Sequence, residues 1–295
     1  MENSININRE SCNSCGLCEA VCPIRLIKKD AEAGISFRPD RLPLCIKCGQ
    51  CMAVCPSQSI VVDGLAYERD FLPLPAGLVA EMPFLEMIKS RRAIRVFKEQ
   101  PVPRELLEQV VQAITLAPPG FPPLKTEIVV VQDTAVIRQA LPEMIKVYDG
   151  LVEAMSHRIG RFFIRRKVGA AKFKTLEQHV VPLMKSRLPE LKQGVEDTIT
   201  RNAPAMIVFH AHREAENYET DGYIALTYGF LAAHALGLGA CAIDLIPPAI
   251  QNSPTLRKLF SIPDSNVVVA SMILGYARYR YQRGIKRELK SVTWI

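Results

Sequence analysis

The stretch SCNSCGLCEAVCP, residues 11–23, is followed by a second stretch of nearly the same pattern, LCIKCGQCMAVCP, residues 44–56. These two runs hold eight of the nine cysteines in a chain of 295 residues. Each run reads C-x-x-C-x-x-C-x-x-x-C-P, and the chain opens without the basic and apolar pattern of a secretory signal. Clustered cysteines in that context indicate metal or redox chemistry in a reducing compartment, and not a disulfide framework.

The spacing within each run predicts how the cysteines share their ligands. Three thiolates two residues apart can converge on one face of an iron-sulfur cube, whereas the fourth, displaced and followed by proline, points elsewhere. Two such runs then exchange their fourth ligands. We expect one 4Fe-4S cluster on Cys12, Cys15, Cys18 and Cys55, and another on Cys45, Cys48, Cys51 and Cys22. A pair of structural zinc sites is the alternative, although such sites need neither the third cysteine nor the trailing Cys-Pro.

Residues 1 to about 70 resemble a bacterial ferredoxin domain with two 4Fe-4S clusters. The internal repeat supports the resemblance, because Gly16 and Gly49 also occupy the same place in the two runs. A side chain there would obstruct backbone amides that approach the sulfides. Such a domain has little apolar core of its own, so the clusters would supply much of its stability.

Composition and charge restrict the class of protein further. The chain is 48% hydrophobic and 23% charged, which is enough to bury a core. No apolar run approaches the roughly 18 to 20 residues that a membrane span needs. The net charge of +7 is unevenly divided, because residues 1–70 hold 8 Lys and Arg against 9 Asp and Glu, whereas the rest hold 29 against 21. Such an excess attracts a phosphate cofactor, an acidic protein or nucleic acid. We expect a globular, cytoplasmic protein without a membrane span.

A proline-rich stretch, RDFLPLPAGLVAEMP at residues 69–83, marks the domain boundary. We predict a ferredoxin domain at 1–70, a linker at 71–82 and a larger domain at 83–295. Helical and strand-like patterns alternate in the larger domain, which predicts an α+β fold. The predicted helices are 83–91, 103–117, 134–147 and 221–236, and the predicted strands are 128–131, 205–211 and 266–274. The helix at 221–236 is apolar on nearly every side and should be buried within the domain or between subunits.

The stretch KSRRAIRVFKEQPVPRELLEQVVQAITLAP, residues 89–118, resembles the opening of the nitroreductase family of FMN proteins, which carries R-[RH]-S-[IV]-[RK]-x-F before its first long helix. The resemblance implies a mixed sheet flanked by helices and a site for FMN. It also implies that Arg91 and Arg92 bind the phosphate and ribityl chain, and that Arg95 binds the pyrimidine edge of the ring. Ala93 stands where the family has serine. The alternative is a solvated basic face.

A second stretch, HALGLGACAIDLIP at residues 234–247, is similar to the family's G-L-G-[TA]-C-x-x-[GE] segment. In the family this backbone runs beside the central flavin ring and offers an amide to N5. The resemblance therefore implies that the residues lining the ring are Ala242, Ile243, Asp244 and Leu245. Ordinary helix capping at Gly237 and Gly239 is the alternative explanation.

The last stretch, GYARYRYQRGIKRELKSVTWI at residues 275–295, looks like the family's C-terminal ending, in which a basic segment returns to the flavin phosphate. The resemblance makes Arg287 the first candidate for that ion pair and Arg283 the second. A basic tail that is simply solvated is the alternative.

One loop departs from the family pattern. The family commonly carries P-[ST]-x-x-N-x-Q-P, whereas this chain has APPGFPPLKTEIVVV at residues 117–131, with Phe121 and Pro123 near the expected Asn and Gln. A proline-stiffened loop offers no amide side chain to the ring edge. We therefore expect an altered substrate pocket, in which Lys125 is a candidate substitute.

The segment MSHRIGRFFIRRKVGAAKFKT, residues 155–175, is rich in Lys and Arg and contains no acidic residue. At helical spacing, Met155, Ile159, Phe162 and Phe163 share one face. Basic amphipathic helices bind nucleic acid or membrane surfaces in some proteins. Here we expect neither partner; a structural helix over the active site is favoured, and a patch that steers an acidic electron donor is the further alternative.

The two cofactors together predict a function. Clusters carry single electrons, and a flavin converts them into two-electron chemistry. We predict an FMN-dependent oxidoreductase that passes electrons from two 4Fe-4S clusters to FMN and on to a small organic acceptor, such as a nitroaromatic, a quinone or an activated alkene. The alternative is a redox relay or sensor that passes electrons to a protein partner, with Phe121 and its prolines closing the pocket. No catalytic acid or base is assigned.

The resemblance and the motifs also suggest partners. No G-x-G-x-x-G follows a strand, so the electron donor is expected to be ferredoxin, or NAD(P)H bound directly on the flavin face. The resemblance further implies a homodimer with FMN at the subunit interface, and the helix 221–236 is the expected contact.

Overall fold

The computed structural model describes residues 5–31, 33–74, 83–118 and 126–295. Its contacts define two compact units, one formed by residues 1–92 with 279–295 and the other by residues 93–278. The α+β class is confirmed by the helices and sheets of both units. The predicted domains at 1–70, 71–82 and 83–295 assign the residues near 83–92 and 279–295 differently. Those boundaries remain a prediction, because residues 75–82 lie outside the described ranges.

The first unit is built from short elements. Its strands are β1 (Ile5–Ile7), β2 (Ile27–Asp30), β3 (Gly34–Phe37), β4 (Ile60–Val62) and β5 (Phe71–Pro73), and its helices are α1 (Leu17–Val21), α2 (Gln50–Val54), α3 (Tyr67–Asp70) and α4 (Phe84–Ser90), with a 3₁₀ helix at Pro39–Leu44. β1 pairs with β4 and β2 pairs with β3, both antiparallel. The unit nevertheless buries Leu26, Ile27 and Met52 almost completely, and the share of its stability that the clusters would supply remains a prediction.

Helices α1 and α2 repeat one local design. Each begins after a glycine in the left-handed region, Gly16 at φ 81° and Gly49 at φ 71°, a conformation that L side chains adopt only at a cost. Each ends at the fourth cysteine of its run, Cys22 or Cys55, whose backbone N–H closes the last turn. The third cysteine therefore lies within a helix and the fourth marks its end. Gly16 and Gly49 thus provide the left-handed turn at the start of each helix, and their role in letting backbone amides approach the sulfides remains a prediction.

The second unit holds the longer elements. They are α5 (Arg104–Thr115), β6 (Thr126–Val131), α6 (Thr134–Ser156), α7 (Arg158–Val168), α8 (Ala170–Thr175), α9 (Val181–Lys192), β7 (Ala205–His212), α10 (Tyr218–Ala235), β8 (Gly239–Ala242), α11 (Ile246–Gln251), α12 (Pro254–Leu259) and β9 (Asn266–Gly275), with a π-helical turn at Leu176–Val180. Each helix and strand predicted between residues 103 and 274 is present. The strand β8 was not predicted.

The sheet of the second unit has the order β6-β7-β9-β8, and its neighbouring strands are antiparallel. A parallel bridge joins Ala93 to Ala240 on β8. Helices α5 and α10 pack on the sheet through a core that includes Ile114, Phe209 and Ala225. One side of α10 is buried there, as expected, whereas Tyr223 on that helix is 50% exposed. Within the described ranges, no helix is both long and apolar enough to cross a membrane.

The predicted face shared by Met155, Ile159, Phe162 and Phe163 is wrong. Helix α6 ends at Ser156 and His157 is extended, so the helical phase breaks before α7 begins. Met155 is buried in a small cluster with Phe173 and Val181. The side chains of Ile159, Phe162 and Phe163 are instead 74%, 63% and 63% exposed. A single periodicity across the segment could not register the break at His157.

The C-terminal tail, residues 279–295, belongs to the first unit. It contains β10 (Arg283–Ile285), which pairs antiparallel with β5. The side chain of Ile285 approaches Gly49, where an added Cβ would lie 3.4 Å from its Cδ1. The tail therefore packs against the second cysteine run.

Candidate functional site

The two cysteine runs line two separate cavities in the first unit. The first cavity is lined by Cys12, Cys15 and Cys18 from the first run and by Cys55 from the second. The second cavity is lined by Cys45, Cys48 and Cys51 from the second run and by Cys22 from the first. The structure thus brings the cysteines together in the three-plus-one sets that the spacing predicts.

Backbone amides point at the sulfur atoms in a repeated pattern. The N–H of Leu26 donates to Cys22 Sγ at 3.3 Å, and the N–H of Ser59, four residues after Cys55, donates to Cys55 Sγ at the same distance. The N–H of Ser14 donates to Cys12 Sγ at 3.4 Å. Hydrogen bonds of this kind stabilise negative charge on thiolate ligands.

Burial acts against those charges. Burial, and to a smaller extent the neighbouring cysteines, raise the pKa of the Cys18 thiol to about 12 and that of Cys51 well above its usual value. For Cys55, burial is outweighed by the N–H of Ser59 and the hydroxyl of Ser57, which together lower its pKa. Buried thiolates packed this closely require a strongly positive group between them, and the irons of a cluster supply one.

The grouping of the cysteines bears on the kind of metal site. Structural zinc commonly uses two C-x-x-C pairs for one ion. Each cavity here is lined by three cysteines of one run and one of the other, which is the ligand set expected for a 4Fe-4S cluster.

An arginine cluster lies in the same unit. Arg91 and Arg92 follow α4, and Arg287 comes from the tail. Burial, and then the charges of Arg91 and Arg287, lower the pKa of Arg92 to about 10. Its Nη1 atom is buried and makes no hydrogen bond within the described residues. Like charges and an unused buried donor fit an anion such as the phosphate of FMN.

In the second unit, Ala93 and Ile94 of the arginine-rich motif at residues 91–97 pair with β8. The N–H of Ile94 donates to the carbonyl of Ala240 at 3.0 Å, next to the bridge between Ala93 and Ala240. An added Cβ at Gly239 would lie 2.6 Å from Ile94 Cγ1, so only glycine allows this approach. The two motifs that the sequence placed at the flavin are therefore adjacent. Arg95 stands beside them, and its Nη1 is a buried donor without a hydrogen-bond partner in the described part of the chain.

The segment from Ala242 to Leu245 is fixed by three hydrogen bonds. The N–H of Ile243 donates to the carbonyl of Ser271 at 3.3 Å, and Ser271 Oγ donates to the carbonyl of Ile243 at 2.8 Å. Tyr148 Oη donates to the carbonyl of Leu245 at 2.6 Å. Sequence reasoning missed Ser271 and Tyr148, because a serine in a strand and a tyrosine in a helix carry no motif of their own.

Asp244 lies at the exposed point of that segment. Burial raises the pKa of Tyr148, and the charge of Asp244 raises it further. Tyr223 on α10 shows the same two causes. Both phenols therefore remain protonated donors at neutral pH, beside the segment that the sequence assigned to the flavin ring.

Arg283, the second candidate for the flavin phosphate, lies within the first unit and contacts the second cysteine run there. Its Nη1 donates to the carbonyl of Cys55 at 2.6 Å, and its Cζ lies 5.3 Å from the centre of the Tyr67 ring. The loop departure at Phe121, Pro123 and Lys125 lies outside the described residues. The flavin contacts suggested for Arg283 and Lys125, and the altered pocket expected at Phe121 and Pro123, therefore remain predictions.

Comparison with known proteins defines the class. Residues 88–276 match the sequence model of the Nitroreductase family, and residues 11–60 match that of the 4Fe-4S dicluster domain. The first match spans more than half of the chain. The chain therefore belongs to the nitroreductase family and is an oxidoreductase, and the resemblance inferred from the sequence is confirmed.

Relatives and solved structures agree with this assignment. A Thermus thermophilus protein named NADH dehydrogenase is 25% identical over 201 residues, which are 63% of this chain and 83% of that protein. A nitroreductase with bound FMN from Bacteroides fragilis has a TM-score of 0.54 at 17% identity, covering 72% of this chain and 97% of its own. A second, from Desulfitobacterium hafniense, has a TM-score of 0.52 at 18% identity with the same coverage. These two structures share the fold.

Proposed function

We propose that this chain is an FMN-dependent oxidoreductase that passes electrons from two 4Fe-4S clusters to FMN and then to a small organic acceptor. The division of eight cysteines between two cavities, three from one run and one from the other in each, carries the proposal. The clusters supply single electrons, and FMN couples them to two-electron reduction of the acceptor. For a quinone, two electrons and two protons give the hydroquinone.

The chain's own residues would hold the flavin at charged and fixed points. Arg91, Arg92 and Arg287 would bind the phosphate, and the unused Nη1 of Arg92 supports that role. Arg95, with its own buried and unpaired Nη1, would face the ring where negative charge develops on reduction. The segment 242–245, fixed by Ser271 and Tyr148, would line the ring. FMN bound to the two structurally similar nitroreductases supports this placement.

The donor and the assembly belong to the same proposal. The name of the Thermus relative supports NADH as the electron source, and ferredoxin is the other candidate. A homodimer through α10 is supported by the partly exposed side of that helix, which includes Tyr223. A cytoplasmic location is supported by the two cysteine runs, whose spacing suits metal clusters and not a disulfide framework, as is typical of a reducing compartment.

The test begins with protein prepared without oxygen. We expect about eight irons and one FMN per chain, from two four-iron sites and one flavin site. The reduced protein is then mixed with nitroaromatic, quinone and enone compounds while the flavin absorbance is recorded, with NADH and reduced ferredoxin compared as donors. Reoxidation by one of these compounds supports the reductase. Reoxidation by a protein carrier alone would mean that the chain is a relay, and zinc in place of iron would exclude both functions.

A further inference from the structure

The C-terminal tail brings a cation to one of the two cavities. Nη1 of Arg283 donates to the carbonyl of Cys55 at 2.6 Å. Cys55 is the cysteine that the second run contributes to the first cavity. The tail lies beyond the two family matches, which end at residues 60 and 276. Family membership therefore does not account for this contact.

The guanidinium of Arg283 is held on several sides. Its Cζ lies 5.3 Å from the centre of the Tyr67 ring, and Tyr67 Oη donates to the carbonyl of Ile60 at 2.9 Å. With the amide of Gln58 turned so that its oxygen faces the arginine, that oxygen accepts from Nη2 at 2.8 Å and from Nε at 3.3 Å. Because several contacts fix this planar group, its charge stays at one place beside the cavity.

The backbone under Arg283 is fixed as well. The N–H of Gln282 donates to the carbonyl of Ala53 in α2 at 3.2 Å. Arg283 itself pairs with Pro73 in the β10–β5 ladder. The backbone at Arg283 is therefore held on one side by the second cysteine run and on the other by β5.

The corresponding position of the first run is arranged differently. The carbonyl of Cys22 accepts the backbone N–H of Arg25 at 3.1 Å. The second cavity has Lys47 in its lining, and the ammonium of Lys47 pairs with the carboxylate of Asp63 at 3.2 Å. The two runs are thus nearly identical in sequence, whereas the carbonyl of Cys55 accepts from a side-chain cation and that of Cys22 accepts from a backbone N–H.

We infer that Arg283 raises the reduction potential of the cluster in the first cavity, and so helps to set the order in which the two clusters take electrons. The inference rests on the proposed function, because it needs the clusters. Reduction adds one electron and one negative charge to a cluster, and no ligand bond breaks. A fixed cation beside a ligand stabilises the more negative, reduced form.

The experiment compares the iron-loaded wild-type protein with Arg283→Gln in an anaerobic titration with dithionite and redox dyes, followed by electron paramagnetic resonance. We expect one midpoint potential to fall in the variant and the other to stay. Arg280→Gln is the matched control, since Arg280 is an exposed arginine of the same tail. It should move neither potential. Cys15→Ser, which alters a ligand of the first cavity alone, identifies the signal that belongs to that cavity.

A second variant keeps the arginine in place. Gln58→Glu puts a carboxylate against the guanidinium and offsets its charge, so the potential of the first-cavity cluster should fall here too. Unchanged first-cavity potentials in Arg283→Gln and Gln58→Glu, each with full iron content, would overturn the inference and leave the proposed function standing. Wild-type protein without iron would overturn the proposed function, and the inference with it.

Discussion

The phenol of Tyr148 on α6 donates a hydrogen bond of 2.6 Å to the carbonyl of Leu245, which lies 97 residues further along the chain. Tyr148 is 3% exposed, so its hydroxyl has no ready access to water as a substitute partner. The bond ties a long helix to the segment that the family resemblance assigns to the flavin ring. The position of that segment therefore depends on a residue outside every recognised motif.

The variant Tyr148→Phe tests this dependence. It removes the donor to the carbonyl of Leu245, and the loss of one hydrogen bond costs about 0.5–1.5 kcal/mol of unfolding free energy. We expect a loss of this size in urea denaturation, together with weaker FMN binding in a fluorescence titration. Tyr218→Phe, at the start of α10, is the control and should change neither quantity by more than about 0.5 kcal/mol. Equal stability of the Tyr148 variant and wild type would contradict the proposed role.

Substitution of Arg92 should affect FMN binding and the stability of the flavin-free protein differently. Its pKa is lowered to about 10 by burial and by Arg91 and Arg287, so its charge destabilises the flavin-free fold at neutral pH. Arg92→Gln removes that penalty and also removes a donor to the phosphate. We expect FMN affinity to fall by about 1.5–3 kcal/mol, the range for hydrogen bonds to charged groups, while the flavin-free protein becomes no less stable.

The pH dependence of Arg92 has a definite sign. A base whose pKa is lower in the folded state binds its proton more weakly there, so this penalty is present at neutral pH and decreases as pH rises above about 10. The stability difference between Arg92→Gln and wild type should narrow over that window in flavin-free protein. Arg138→Gln, an exposed arginine on α6, should show no such narrowing. FMN affinity unaffected by Arg92→Gln would remove Arg92 from the phosphate site.

The sequence predicted most of what short-range rules govern. The cysteine sets followed from spacing, and the strands β6, β7 and β9 followed from apolar runs that the sheet buries. The family resemblance assigned the two flavin motifs to one site, and a bridge joins Ala93 of the first motif to Ala240 of the second. These features are local or are carried by a recognisable motif.

What the sequence missed depends on contacts between distant residues. Tyr148 reaches Leu245, and Arg283 reaches Cys55, across 97 and 228 positions that no periodicity connects. The break at His157 also escaped, because the apolar spacing on its two sides continues in helical phase while the backbone does not. The family resemblance suggested a phosphate role for Arg283, and only the folded structure shows its contact with Cys55.

Replacing the glycine at the start of α1 or of α2 should lower both the stability and the iron content of the protein. Gly16→Ala and Gly49→Ala place a side chain in the left-handed region, at a cost of about 1–2 kcal/mol each. At Gly16 the new Cβ would lie 3.1 Å from Cδ of the exposed Lys29, a side chain that can move aside, whereas at Gly49 it would lie 3.2 Å from Cζ of the buried Phe71, so Gly49→Ala should lose more iron on gel filtration. The control is Gly150→Ala inside α6, where nothing lies within 4 Å and alanine favours the helix. It should keep its iron and gain stability. Full iron retention in both test variants would refute the role given to these turns.

The exchanged ligands make the sharpest prediction for the cluster sites. Cys15 and Cys55 belong to different runs but line the same cavity, whereas Cys48 shares its run with Cys55 and lines the other. We therefore expect Cys15→Ser and Cys55→Ser to alter the same electron paramagnetic resonance signal, and Cys48→Ser to alter the second signal. Serine binds iron more weakly than thiolate, so each variant should lose iron from one cluster first. If Cys55→Ser altered the same signal as Cys48→Ser, each run would hold its own cluster. The three-plus-one arrangement would then be wrong.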